Sequence, residues 1–215
     1  AGHGDAVSGL AVTLRDLMRK GINTVDQSKF ARTLNEAFLE RSHLGVFATA
    51  ILATYFAPSD HLIVCNAGHP APLIYRAGSD AWSMLEAEVE SSDASGVRGL
   101  PLGIIEPTEY TQQAVALAKG DIVVVYTDSM MEQKDSAGRM VGTEGLLALC
   151  KGLDTSRPEG VAHELIGRVR AFGGGRMPDD DLTVMVLHHN GSDPPKMSVG
   201  ERLTTYARLL GLSKV

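Results

Sequence analysis

Asp121-Ile122-Val123-Val124-Val125-Tyr126-Thr127-Asp128 is the most apolar strand-like run in the chain, and it ends on a carboxylate. Unbroken β-branched and aromatic residues favour a buried strand. A carboxylate at the end of such a strand is expected to be rigidly held and partly dehydrated, which suits it to grip a hard cation. A second acidic cluster, Asp179-Asp180-Asp181, stands just before another apolar run, 182–187. If the two strands are neighbours in one sheet, their carboxylates converge at its rim, the geometry of a metal site. Spacing alone leaves a plainer alternative open: Asp128 caps a turn, and 179–181 is a solvated charge run.

Upstream, Lys119-Gly120-Asp121 reads as a turn joining 108–118 to the central run as a hairpin. Residues 46–56 and 61–66, joined by Ala57-Pro58-Ser59-Asp60, read as an antiparallel hairpin, and 72–76 with 82–85 as another short pair. Before any strand, apolar residues recur at three and four over 6–18, and Phe30, Leu34 and Phe38 mark a second helix, from Asp26 or Ser28 to about Ser42. Downstream, helices are expected over 143–150 and 156–172, the latter opened by a Ser156/Glu159 capping box and stopped by Gly173-Gly174-Gly175. The polar stretch 86–98 reads as a mobile surface loop, a candidate partner-contacting flap. A linker and a short amphipathic helix over 190–215 close the chain, and the helix packs either on the domain or on a second copy as a homodimer. Helices, many antiparallel strands, then helices and a strand point to an α+β class.

At 215 residues the chain can bury a full core. A net charge of -6, with no local Lys/Arg cluster, argues against nucleic acid as a partner. No apolar run approaches the roughly 20 residues of a membrane helix, and no secretory signal opens the sequence, so a soluble cytoplasmic protein is expected. Cys65 and Cys150 lack metal-ligand spacing and read as reduced core residues.

Carboxylates with few cysteines and scattered histidines favour Mg²⁺ or Mn²⁺ over zinc. Water retained by a pair of such ions is a ready nucleophile, and phosphate-ester hydrolysis fits. Two of the seven histidines sit in glycine-bearing turns, Gly2-His3-Gly4 and Asn66-Ala67-Gly68-His69-Pro70. Each reads singly as structural.

Taken in order, Gly2-His3-Gly4, Asn66-Ala67-Gly68-His69-Pro70-Ala71-Pro72, Gly99-Leu100-Pro101-Leu102-Gly103, Gly120-Asp121, Tyr126-Thr127-Asp128 and Asp180-Asp181-Leu182-Thr183 form a series over residues 1–189. This series resembles the SpoIIE-type bacterial members of the metal-dependent protein phosphatase 2C (PPM) family. The resemblance implies an α-β-β-α sandwich of two antiparallel sheets, a two-metal Mn²⁺ or Mg²⁺ centre, and removal of phosphate from serine or threonine on a protein. The usual substrates it implies are phosphorylated anti-anti-sigma (STAS-like) proteins in sigma-factor regulation. It makes Asp128 and Asp180 metal ligands and catalytic residues, with Asp181 beside them as part of the metal site. Gly2, His3, Gly4, Asn66, Gly68, His69 and Ser129 then stand near the site.

Two departures carry expectations of their own. The sequence as given starts one residue before Gly2-His3-Gly4, so it does not include the bridging aspartate of the family's Asp-x-x-Gly-His-Gly motif. A fragment lacking its first strands, with weak metal affinity and little activity by itself, is therefore expected. Ser129 stands where the family has the glycine of Thr-Asp-Gly; if that position has φ > 0, serine costs roughly 1 kcal/mol of strain. A second functional class follows from the same resemblance: a catalytically silent phosphatase-fold module that docks a phosphoprotein in the same signalling role, with Ser129 as a mark of decay. A third is a hydrolase of small phosphate esters.

Overall fold

The computed structural model describes residues 5–21, 24, 26–41, 47–86, 99–192 and 200. Along the chain run α1 (Asp5–Gly21), α2 (Gln27–Arg41), β1 (Ala50–Phe56), β2 (His61–Ala67), β3 (Leu73–Arg76), β4 (Ala81–Met84), β5 (Gln112–Ala116), β6 (Ile122–Tyr126), α3 (Ser129–Glu132), α4 (Gly142–Cys150), α5 (Pro158–Phe172) and β7 (Val184–His188). These elements divide between two compact units, residues 1–69, 87–116 and 193–215 in one and 70–86 and 117–192 in the other. The α+β class is borne out, with two antiparallel sheets and their helices. No helix among the described residues is long and apolar enough to cross a membrane.

In the second unit β6 lies inside a four-stranded sheet of order β4-β3-β6-β7, every pair antiparallel. Its apolar run has no polar alternation because both faces are buried: Ile122, Val123, Val124 and Tyr126 are all closed to solvent. Ile122, Val124 and Tyr126 pack with Leu146 and Cys150 of α4 and with Val161, Leu165 and Val169 of α5. The α5 residues recur every four positions, one stripe of the helix, and all three are fully buried.

In the first unit β1, β2 and β5 form a three-stranded sheet in that order. Phe30, Ala31 and Leu34 of α2 pack on Leu52, Cys65 and Ala67, with Leu14 and Leu17 of α1 beside them. Asp26 starts α2: its Oδ1 accepts from the Lys29 amide at 2.9 Å and the Ser28 hydroxyl at 2.6 Å. The Gln112 side chain, from β5, takes the Gln27 amide at 2.6 Å.

Three expectations need correction. The expected hairpin across Lys119-Gly120 does not form. A turn is there, with the Asp121 amide donating to Ala118 O at 2.9 Å, but β5 joins the first sheet and β6 the other. Sequence proximity favoured pairing; the apolar match of β6 to β3 and β7 decided otherwise. The Ser156/Glu159 capping box is absent too. Ser156 instead donates through its amide and hydroxyl to Asp154, and the helix opens at Pro158, whose fixed φ suits the first turn. Of the expected strand 46–56, Val46 lies outside the described residues, and the rest forms a strand only from Ala50, preceded by a bridge between Ala48 and Leu102. Residues 87–98 of the expected flap, and all of the expected tail helix but Gly200, lie outside the described residues.

Both cysteines are free and buried, as expected. Burial pushes the Cys65 thiol up to about 11 and that of Cys150 to about 12.

Candidate functional site

The last ladder pair of β6 and β7 is Tyr126↔Val184. Pairing continues past it: the Thr127 amide donates to Thr183 O at 3.1 Å, and the Thr183 amide to Thr127 Oγ1 at 2.9 Å. Because the strands are antiparallel, the chain leaves β6 for Asp128 where it arrives at β7 from Asp181. The condition set by the sequence, that the two strands be neighbours, is met.

Two hydroxyls join the acidic segments. Thr127 Oγ1 and Ser129 Oγ stand 3.1 Å and 3.0 Å from the Asp181 carbonyl oxygen and 3.0 Å from each other. Ser129 is buried at 2% exposure, so its hydroxyl needs these partners. The residue does not have a positive φ; it is the first residue of α3, a helical turn the sequence reading did not foresee. The expected strain is therefore absent, and serine contributes a tie that glycine could not.

Asp128 caps α3, its Oδ1 accepting from the Ser129 amide at 3.0 Å and its carbonyl from Met131 and Glu132 at 2.8 and 3.0 Å. It is exposed, which corrects the expectation of a partly dehydrated carboxylate: β6 buries its own side chains but ends before Asp128. Asp179, Asp180 and Asp181 are exposed as well, and Asp180 Oδ1 accepts from the Asp181 amide at 2.8 Å. The available donors are carboxylate oxygens, the chemistry of Mg²⁺ or Mn²⁺ sites that keep several waters. Among the described residues no group of three or more His, Cys, Asp or Glu gathers to hold a metal ion. The residues fit such an ion in kind.

Asn66, Gly68 and His69 belong to the first unit. The Asn66 amide closes a turn, Oδ1 accepting from the His69 amide and Nδ2 donating to His69 O, both at 2.8 Å. Gly68 has φ 68°, and a Cβ there would lie 2.5 Å from the Pro101 ring. His69 Nδ1 lies 3.0 Å from Thr49 Oγ1. Two of the sequence motifs, Asn66-Ala67-Gly68-His69 and Gly99-Leu100-Pro101-Leu102-Gly103, thus pack on each other. Asn35 pins the second through Gly103 N at 2.8 Å and Ile105 O at 3.0 Å. Gly2, His3 and Gly4 lie outside the described residues.

Asp121, which the motif series included without a role, is a structural carboxylate in the second unit. It is 2% exposed and accepts from Arg76 at 2.8 Å and from the Ala77 and Ala118 amides at 3.0 Å. Burial, the largest influence, pushes its pKa up; the Ala118 amide, Arg76 and the Ala77 amide together outweigh it and hold the carboxyl below its ordinary range. Sequence reasoning also missed Gln133, which is buried and donates to Arg176 O at 2.8 Å, because no pattern marks a lone glutamine.

Stage II sporulation protein E (SpoIIE) is the family whose sequence pattern matches, over residues 1–190. The phosphatase domain of the cell fate determinant SpoIIE from Bacillus subtilis, presoaked with Mn, superposes with a TM-score of 0.56 at 18% identity, over 91% of this chain and 80% of that one. The RsbU and RsbW domains of Rv1364c from Mycobacterium tuberculosis give 0.68 at 20% identity, over 99% and 57%. The SiaA-PP2C domain of Pseudomonas aeruginosa gives 0.67 at 16%, over 87% and 71%. No curated protein sequence matches significantly. At these identities the structural likeness shows the fold, that of the PP2C phosphatase domain.

Proposed function

This chain belongs to the SpoIIE family, and from that premise we propose that it is a Mn²⁺- or Mg²⁺-dependent phosphoserine/phosphothreonine protein phosphatase of bacterial signalling. The observation that carries the reading is the β6–β7 register, which delivers Asp128 and Asp180-Asp181 to adjoining strand ends. Asp128 and Asp180 would hold cations through their carboxylate oxygens. Asp181 shapes the site through the carbonyl that Thr127 and Ser129 hold. When bound, such cations lower the pKa of a coordinated water and neutralise phosphoryl oxygens. The Ser129 amide leaves one Asp128 oxygen committed and the other open to a ligand.

A covalent route through cysteine has no support: both thiols are buried, with pKa values pushed far above neutrality. The substrate fitting this reading is a phosphorylated anti-anti-sigma-type protein, in keeping with an RsbU-type domain that shares a chain with an RsbW domain in the Mycobacterium tuberculosis structure. The silent-module reading drew on Ser129 as a mark of decay, and its unstrained backbone and two hydrogen bonds remove that ground.

Phosphate release in Mn²⁺ from phosphoserine, phosphothreonine and phosphotyrosine peptides and from p-nitrophenyl phosphate tests the substrate class. Phosphoserine or phosphothreonine should lead by about tenfold or more in kcat/KM, because contacts to the remote chain are expressed in the transition state. Equal or better turnover of the small ester would overturn the protein-phosphatase assignment in favour of a small-ester hydrolase.

A further inference from the structure

Asp128 and Asp180 stand on two different arms of the chain, and a cation held between them depends on how those arms are set against each other. One arm is α3 with Gln133 directly after it; the other is Arg176-Met177-Pro178-Asp179-Asp180-Asp181, the approach to β7. A cavity of about 220 Å³ lies between them, lined on one side by Ser129, Glu132 and Gln133 and on the other by Arg176, Asp179 and Asp180. Its lining is acidic on balance, because the exposed carboxylates of Glu132, Asp179 and Asp180 outnumber Lys134 and Arg176. Like charges on facing arms push them apart until a cation arrives, so the spacing of the arms has to come from other bonds.

Two ties bracket the cavity. At the strand end, Thr127 and Ser129 hold the Asp181 carbonyl. At the far end, Gln133 Nε2 donates to Arg176 O at 2.8 Å. Gln133 is 7% exposed, and its own carbonyl accepts from the Val141 amide at 2.9 Å, so it reaches across from a fixed backbone. Gly173 admits the side chain: a Cβ there would overlap Gln133 Nε2, although its φ of -75° is open to any residue. The turn before Arg176 is seated in turn on α5, where Arg170 Nε donates to Gly175 O at 2.7 Å. Between the tie and Asp179 stands Pro178, whose ring fixes its own φ and restricts Met177, so a shift at Arg176 is passed on to the carboxylates.

We propose that Gln133 is a positioning residue of the metal site: through the Arg176 carbonyl it sets the spacing of the Asp128 and Asp180 arms, and so the affinity for the divalent cation. It touches neither cation nor substrate. The inference rests on the metal-dependent reading of the site. A neutral amide suits this task, because a lysine or arginine reaching the same carbonyl would add positive charge beside the cation.

The test is Mn²⁺ binding to the full natural protein, measured by isothermal titration calorimetry without substrate. Gln133→Met keeps the length of the buried side chain and removes the donor, and the Mn²⁺ Kd should rise about tenfold, as for residues that hold metal ligands from behind. Gly173→Ala should raise the Kd to a similar degree, because its Cβ evicts the amide. In a Gln133→Ala background, where there is no amide to evict, the same substitution should add less than about twofold. Asp121→Asn, at the opposite end of β6 from Asp128, is the control for destabilisation alone and should leave the Kd within about twofold. An unchanged Kd in folded Gln133→Met, or an equal rise in Asp121→Asn, overturns the proposal and leaves the metal reading standing. Absence of Mn²⁺ binding by the wild type overturns the metal reading, and the positioning role falls with it.

Discussion

Replacing Ser129 by alanine and by glycine separates a residue that ties two segments from one that strains a loop. Alanine removes a hydroxyl that is 2% exposed and lies 3.0 Å from both Asp181 O and Thr127 Oγ1. Buried neutral hydrogen bonds are worth about 1 kcal/mol each in net stability. Asp181 O keeps the Thr127 hydroxyl at 3.1 Å, so no carbonyl is orphaned. Alanine also gains a few tenths of a kcal/mol in the helical turn, so Ser129→Ala should cost about 1 kcal/mol. Glycine loses the same bonds and adds about 1 kcal/mol of backbone entropy in α3, for about 2 kcal/mol in all. Urea unfolding followed by circular dichroism should therefore rank wild type above alanine above glycine at constant m-value. A cycle with Thr127→Val should show coupling of about 0.5–1 kcal/mol. A Ser129→Gly protein as stable as wild type, or more so, refutes the tie, because only a strained serine gains from glycine.

Asp121→Asn should cost about 2–4 kcal/mol, since it leaves Arg76 and two amides facing a neutral group. The Asp121 carboxyl is depressed in the folded protein, so its stabilisation is complete above an ordinary carboxylate pKa of about 4 and is lost as pH falls through the lower folded value. Urea midpoints measured from pH 6 down to 2 should fall more for wild type than for Asp121→Asn, and parallel curves would contradict the assignment. Gly68→Ala should cost about 2 kcal/mol or more, combining a left-handed φ of 68° with a contact on the Pro101 ring, and an unchanged thermal midpoint would count against that packing. Ellman's reagent at pH 8 should leave Cys65 and Cys150 unmodified until denaturant is added, and prompt labelling of either would contradict their burial.

Elements whose burial is one-sided or complete were legible from residues alone. Phe30, Leu34 and Phe38 marked α2, the Val/Ile run marked β6, and Ala57 to Asp60 marked the β1–β2 turn. Strand partnership was legible in the two short hairpins, β1 with β2 and β3 with β4, and at β6 and β7, where a carboxylate pair asked for it. The β5–β6 connection misled because a good turn sequence says nothing about whether its two arms enter the same sheet. At the site, Asp128, Asp180 and Asp181 stood out as charges at apolar boundaries. Ser129 was read as a defect because its value lies in a long-range contact, 52 positions away along the chain.

The central claim is that carboxylates at the β6 and β7 ends hold a catalytic divalent cation. Its most direct test is phosphate release from a phosphoserine protein by the full natural protein, with and without Mn²⁺, alongside Asp128→Asn. The account predicts turnover that requires Mn²⁺ and disappears in Asp128→Asn while that variant stays folded. Mn²⁺-dependent turnover that survives Asp128→Asn, or no turnover from folded wild type with Mn²⁺ or Mg²⁺, would contradict it.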